Sequence, residues 1–252
     1  MKKTLYIILI VILFLMVVWH VNNNPKFIAS HLIKSGGIHP GNLKYRVNFF
    51  GIIPVGEAIF TLEKIEDYKG KKVYHLNATA QLLKLYSGLW KGHAIIDSYV
   101  DMQALSPVLF KQKLEAPGKE NPDKEVFYDL ENSTMSLNGV VRPIYPNTQD
   151  PLSAIFNLKR MDFTGNKEIE FNINTNQKNY ILKGTAKEQE LSINNKMFKI
   201  VTVNSEIKRR DKDPHHKSNV EIILLKAEQN IPILIKVFAS GALITVKLVE
   251  IN

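Results

Sequence analysis

Three side chains in one short stretch could carry acid–base chemistry: His93, Asp97 and Asp101. A carboxylate with a nearby imidazole can relay a proton. On a strand these odd-numbered positions share one face with Tyr99. The same spacing also describes the polar outer face of an ordinary strand, which is the plainer reading. A second cluster lies in the stretch KRRDKDPHHK, where His215 and His216 sit beside Asp211 and Asp213. Imidazole and carboxylate suit a metal ion. Adjacent residues of a strand point opposite ways, however, and no third ligand is evident. The stretch reads more simply as a solvated hairpin tip between strands that end near Ile207 and begin near Val220. Its Lys208, Arg209, Arg210 and Lys212 suit anionic headgroups. Asp150 and Ser153 resemble an orienter and a nucleophile, but a helix cap accounts for both. No phosphate-binding loop, dinucleotide glycine motif, nucleophile elbow or H-E-x-x-H helix occurs, and the 13 glycines are scattered. No catalytic set, metal or cofactor is expected.

The remaining candidate site is hydrophobic. Tyr74, Leu76, Ala78, Ala80 and Leu82 recur at every second position, mixing large and small apolar side chains. Ile233, Ile235, Ile244 and Val246 extend this surface near the C-terminus. A curved sheet lined this way can hold an acyl chain. A solid core has the same pattern, so both readings stand on sequence alone.

These residues must be positioned by strands. From residue 43 the apolar period is two: Leu43, Tyr45, Val47 and Phe49 alternate with Lys44, Arg46 and Asn48, and Ile169, Phe171 and Ile173 alternate with acidic and amide residues. One apolar face and one polar face per strand is the habit of antiparallel sheets. Turn residues separate the runs, Asn138-Gly139 most plainly. Ile231–Phe238 and Ala242–Ile251 are apolar on both faces, which suits strands that are central in the sheet or that line an interior cavity. Asp150 to Arg160 breaks the pattern and predicts a short helix, with Asp150 as N-cap, Pro151 in the first turn and Lys159 and Arg160 at the C-terminal end. The expected fold is mainly β: a single curved antiparallel sheet or half-open barrel of roughly a dozen strands with one mid-chain helix.

Ahead of this domain lies a different kind of segment. Lys2 and Lys3 precede an uncharged, almost wholly apolar run from Thr4 to Trp19, which His20 and Val21 can extend. About 20 such residues cross a bilayer as a helix. The run ends in bulky residues rather than small ones, which favours an uncleaved anchor over a cleaved signal peptide. The expected division is residues 1–21 as anchor or signal, 22–42 as a linker that could form a short interfacial helix, and 43–252 as the β domain. The domain would then lie in the periplasm on an inner-membrane anchor, or be exported if the segment is cleaved. The chain carries 33 Lys plus Arg against 24 Asp plus Glu, a net charge of +9, spread along its length. That scatter gives no nucleic-acid footprint, so the expected partners are the membrane, through residues 4–21, and a lipid or envelope protein. With no cysteine, disulfides, thiolate metal sites and a lipid-modified cysteine are excluded.

Four stretches in order resemble the DUF3108 family of bacterial exported proteins of unknown function. They are Leu43 to Gly56 (LKYRVNFFGIIPVG), Asp101 to Phe110 (DMQALSPVLF), Gln149 to Leu158 (QDPLSAIFNL) and Pro232 to Leu248. Pro151 departs from the small residue usual after the aspartate of the third stretch. The resemblance implies a curved, largely antiparallel sheet and no catalytic residues. Such sheets resemble envelope lipid carriers and lipoprotein chaperones. The leading expectation is a non-catalytic envelope protein that binds a hydrophobic ligand or an envelope partner. The alternatives are a hydrolase of an envelope polymer using His93, Asp97 and Asp101, or a structural scaffold.

Overall fold

The computed structural model describes residues 42–83, 92–115, 123–193, 195–210, 217–227 and 229–251. The proposed anchor, the linker up to Gly41, and the tip residues Asp211 to His216, Lys212 among them, lie outside these. Among the described residues no helix is long and apolar enough to cross a membrane.

The first half of the domain is a meander of eight strands: β1 (Leu43–Phe49), β2 (Ile53–Tyr68), β3 (Lys71–Leu82), β4 (His93–Asp101), β5 (Pro107–Glu115), β6 (Lys124–Asp129), β7 (Thr134–Leu137) and β8 (Val140–Pro143). A helix, α1 (Pro151–Arg160), follows. A second meander then runs through β9 (Asn166–Thr175), β10 (Lys178–Ile193), β11 (Lys196–Arg209), β12 (Lys217–Leu225), β13 (Ile231–Ala239) and β14 (Ala242–Ile251). The two meanders join where β1 pairs antiparallel with β14. The result is one open, antiparallel 14-stranded sheet in the order β8-β7-β6-β5-β4-β3-β2-β1-β14-β13-β12-β11-β10-β9. β14 and β13 are the ninth and tenth strands of this order, inside the sheet and away from both edges, while β2 and β1 are its middle pair.

The two edge strands are tied by the segment that connects them. The Gln149 N–H donates to the Asn172 carbonyl at 2.7 Å, and the Asn174 N–H donates to the Gln149 carbonyl at 2.8 Å. The Asn172 and Asn179 side chains donate to the carbonyls of Pro146 and Pro143. A sheet curved this far presents its apolar positions to a shared interior. Leu43 and Tyr45 are fully buried, with the Tyr45 hydroxyl donating to the Pro232 carbonyl at 2.8 Å. Tyr45 packs on Phe60, ring centroids 4.9 Å apart, and both stand opposite alanines: Tyr45 across from Ala58, Phe60 across from Ala78. Small residues facing large ones fill the layer without voids. On the other half, Val201, Val203, Ile222, Leu224 and Ile235 form a second buried cluster with Ala154 and Leu158 of α1.

Backbone approach excludes a side chain at Gly56 and, most tightly, at Gly184. A Cβ on Gly184 would meet the Asn204 carbonyl oxygen at 2.2 Å and the Ser205 Cα at 2.6 Å, both backbone atoms of the neighbouring strand. Gly184→Ala is expected to destabilise the domain by about 1–3 kcal/mol, the usual cost of overpacking. Chemical denaturation of the full chain in detergent checks this; an unchanged midpoint would contradict the packing.

Candidate functional site

Among the described residues one helix lies over the apolar face of the curved sheet, and its sequence explains why it forms there. Asp150 is its N-cap: the Asp150 Oδ1 accepts from the N–H groups of Leu152 and Ser153, at 2.8 and 2.9 Å. Ser153 returns the contact, its Oγ accepting from the Asp150 N–H at 2.9 Å, which completes a capping box. Pro151 has no N–H to lose in the first turn. Leu152 and Phe156, one turn apart, pack on Leu76, Ala78 and Val100 of the first meander. Ala154 and Leu158 pack on the second. The helix thus bridges both halves of the sheet.

Its N-terminal end is fixed by a buried polar latch. Asp150 has no solvent exposure, and Ser98 of β4 donates to its Oδ2 at 2.5 Å. Gln149 Nε2 donates to the Leu105 carbonyl and to Ser106 Oγ, both at 3.2 Å. Asn157 Nδ2 donates to the Leu105 carbonyl at 2.8 Å and to Gln149 Oε1 at 2.9 Å. At the other end, the Asn230 N–H and side chain donate to the carbonyls of Lys159 and Met161. Arg160 lies over the rings of Tyr74 and Phe156, 5.1 and 5.3 Å from their centroids.

The structure distributes the predicted lining residues unevenly. Tyr74, Leu76 and Ala78 lie beneath α1, with Tyr74 5.2 Å from the Phe156 ring. Ile233 is a fully buried member of the cluster around Tyr45, and Ala80 and Val246 pack against it. Ile235 belongs to the second-half cluster. Leu82 is half-buried, and Ile244 is 41% exposed at the end of β14. The gap between α1 and the sheet, lined by Leu43, Phe60, Leu76, Leu152, Phe156 and Pro232, measures about 30 Å³. That is room for a water molecule, an order of magnitude below a ligand cavity of about 300–1,000 Å³. Here the helix occupies the interior that an acyl chain would need.

The acid–base candidates are not brought together. His93 lies 3.9 Å from Glu115. Asp101 turns back on its own loop, accepting from the N–H groups of Gln103 and Ala104. Asp97 instead meets His75 of β3, with Nε2 and Oδ1 2.8 Å apart, while His75 Nδ1 lies 2.9 Å from Glu66 Oε1 and its ring stacks on Tyr99. Lys208 pairs with Glu206, and Arg210 donates to Asn172 and covers the Tyr145 ring. No group of three or more His, Cys, Asp or Glu among the described residues could hold a metal ion. Sequence reasoning missed the Asp97–His75 pair because its partners lie 22 residues apart and meet only through the β3–β4 register. It missed Ser98 as well, although a hydroxyl among Ala94, Ile96 and Val100 was the available signal.

The segments that the latch joins are two of the stretches quoted above, Asp101 to Phe110 and Gln149 to Leu158. A single family profile, described as "Protein of unknown function (DUF3108)", matches residues 44–248. The chain belongs to the DUF3108 family. No functionally curated protein matches it. Among solved structures, a "putative lipoprotein" from Parabacteroides distasonis ATCC 8503 is similar at 7% identity, covering 85% of this chain and 96% of that one, with a TM-score of 0.33. A likeness that distant informs neither the fold nor the function of this DUF3108 protein.

Burial raises the Asp150 carboxyl above the ordinary carboxylate range, against the opposing hydrogen bonds from Ser98, Ser153 and Leu152. The folded state therefore holds this proton more tightly than the unfolded chain. Its contribution to stability falls as pH rises from the ordinary carboxylate range through the raised value, and is flat above it. Asp150→Asn keeps an N-cap acceptor and removes that slope. Asp150→Ala loses the cap and strands Ser98, at a cost of about 1–3 kcal/mol. Denaturation across a pH series distinguishes the two; equal losses at all pH values would contradict the assignment.

Proposed function

We propose that this DUF3108 protein is a cell-envelope protein whose β domain takes up a hydrophobic ligand, a lipid or the acyl portion of a lipoprotein, by displacement of α1. Residues 1–21 act as membrane anchor, 22–42 as linker and 43–252 as the binding domain, on the periplasmic or outer side of the membrane. The observation that carries this reading is the cover. The concave face is apolar on both meanders, and one ten-residue helix shields it. That helix is held at its N-terminal end by hydrogen bonds to side chains, which water can replace when it lifts. With α1 displaced, Tyr74, Leu76, Ala78, Ile233, Ile235 and Val246 line one continuous surface. The likeness of curved sheets to envelope lipid carriers and lipoprotein chaperones agrees with this, as an analogy of shape alone. A scaffold role in an envelope assembly is the second reading, favoured by the filled interior.

Native mass spectrometry of the full chain, extracted from the membranes of its natural host, tests the proposal. A lipid-sized adduct is expected. Phe156→Ala, which opens space beneath α1 at a cost of about 3–5 kcal/mol in stability, should retain more lipid than the parent chain. Bare protein from both, with a reproducible protein partner instead, would favour the scaffold.

A further inference from the structure

Successive hairpin turns emerge at opposite ends of an antiparallel meander, so each end of the sheet has its own chemistry. At one end, the strand ends and turns of β2, β1, β14 and β13 form an apolar rim. Phe49, Phe50, Ile53, Phe238 and Ile244 are each between 37% and 51% exposed there. They are contiguous: Phe49 pairs with Ile53 on one side and Ile244 on the other, and the Phe49 and Phe50 rings lie 4.3 Å apart. Scattered single apolar residues are ordinary on a surface, but a connected cluster of this kind marks an interaction site.

The turn at the tip of this rim is also conformationally costly. The Ile52 N–H donates to the Phe49 carbonyl at 3.3 Å, with Phe50 at φ 50° and Gly51 at φ 76°. Both central residues are left-handed, as in a type I′ turn. Three other turns repeat this pair of angles, at Lys69-Gly70, Asn138-Gly139 and Ser240-Gly241, each with a polar first residue. Only here is the first residue aromatic. A bulky side chain at positive φ is an outlier, and Asn would fit the turn better, so retaining Phe points to a role for the ring.

Behind the rim stands an excess of positive charge: the Glu57 carboxylate opposite Arg46 on β2 is taken by Lys44, 3.3 Å away. Arg46 on β1 lies directly opposite Lys247 on β14. No ion pair among the described residues neutralises either one. Burial, then the neighbouring Arg46 charge, lowers the Lys247 pKa. Like charges across a strand pair are destabilising, so an anion supplied from outside would relieve them. Arg46 and Phe49 are three positions apart, about 10 Å along a strand. That matches the depth between inserted apolar groups and the phosphate layer of a bilayer. The tether permits this orientation. Asn42 leaves β1 at the opposite end, but residues 22–42 can span about 70 Å when extended, against about 23 Å for β1.

We propose that this rim is a membrane-insertion surface: Phe49, Phe50 and Ile53 enter an anionic bilayer, with Arg46 and Lys247 at the phosphate level. The proposal rests on the envelope location proposed above, but not on ligand uptake. The absence of native cysteine makes the test clean. Full-length chains carrying Ile53→Cys or Lys69→Cys are labelled with an environment-sensitive fluorophore. They are then combined with phosphatidylglycerol-containing vesicles bearing a nitroxide quencher in the lipid. The expected result is at least severalfold stronger quenching at position 53 than at position 69, on the opposite turn. Adding Phe50→Asn should reduce quenching at 53 without lowering the melting temperature, and phosphatidylcholine vesicles should reduce it too. Equal, weak quenching at both positions overturns the proposal. A chain that does not stay with the vesicles overturns the rim together with the anchor, whereas a chain that stays with equal, weak quenching at both positions overturns the rim alone.

Discussion

A carboxylate with no access to solvent holds this architecture together. Asp150 joins three things that are distant in sequence: the first turn of α1, the Ser98 hydroxyl on β4, and the connection between the two meanders. An open 14-stranded sheet has an apolar concave face and no second sheet to bury it. α1 is the cover, and its position follows from where its N-terminus is fixed. Leu152 and Phe156 then fall on the first meander and Ala154 and Leu158 on the second. Without the cap, neither half of the interior would be closed.

The latch also explains why buried polarity is tolerated where an apolar contact would be cheaper. Each polar group in it has a partner: Gln149 with Ser106 and Leu105, Asn157 with Leu105 and Gln149, Ser153 with the Asp150 backbone. A satisfied network of this kind fixes one arrangement rather than adding much net stability. It also makes the cover separable from the sheet, because hydrogen-bonding groups return to water at less cost than a purely apolar surface would.

Much of this was legible in the sequence because the local signals and the fold agree. The alternation of Leu43, Tyr45 and Val47 marks the inward face of β1, and Leu43 and Tyr45 are buried as it predicts. Asp150, Pro151 and the basic end of Lys159 and Arg160 place α1 within a residue. The two-sided apolar pattern of β13 and β14 fits their place inside the sheet, tenth and ninth of its fourteen strands and away from both edges. Pairwise chemistry was not legible, because it depends on register: Asp97 lies near His93 in the chain but opposite Asn77, and it reaches His75 across β3. The state of the interior was equally hidden. The same residues line a cavity or pack a core, depending on whether α1 is in place, and periodicity carries no information on that.

The claim that everything else hangs on is that α1 opens as a unit while the sheet stays folded. Amide hydrogen exchange on the full chain, in membranes or detergent, measures this directly. The account predicts that the α1 amides exchange through a local opening well below the global unfolding free energy, while β1 and β14 exchange only by global unfolding. If the α1 amides are as protected as those of β1 and β14, the helix is a permanent part of the core, and uptake of a ligand beneath it is contradicted.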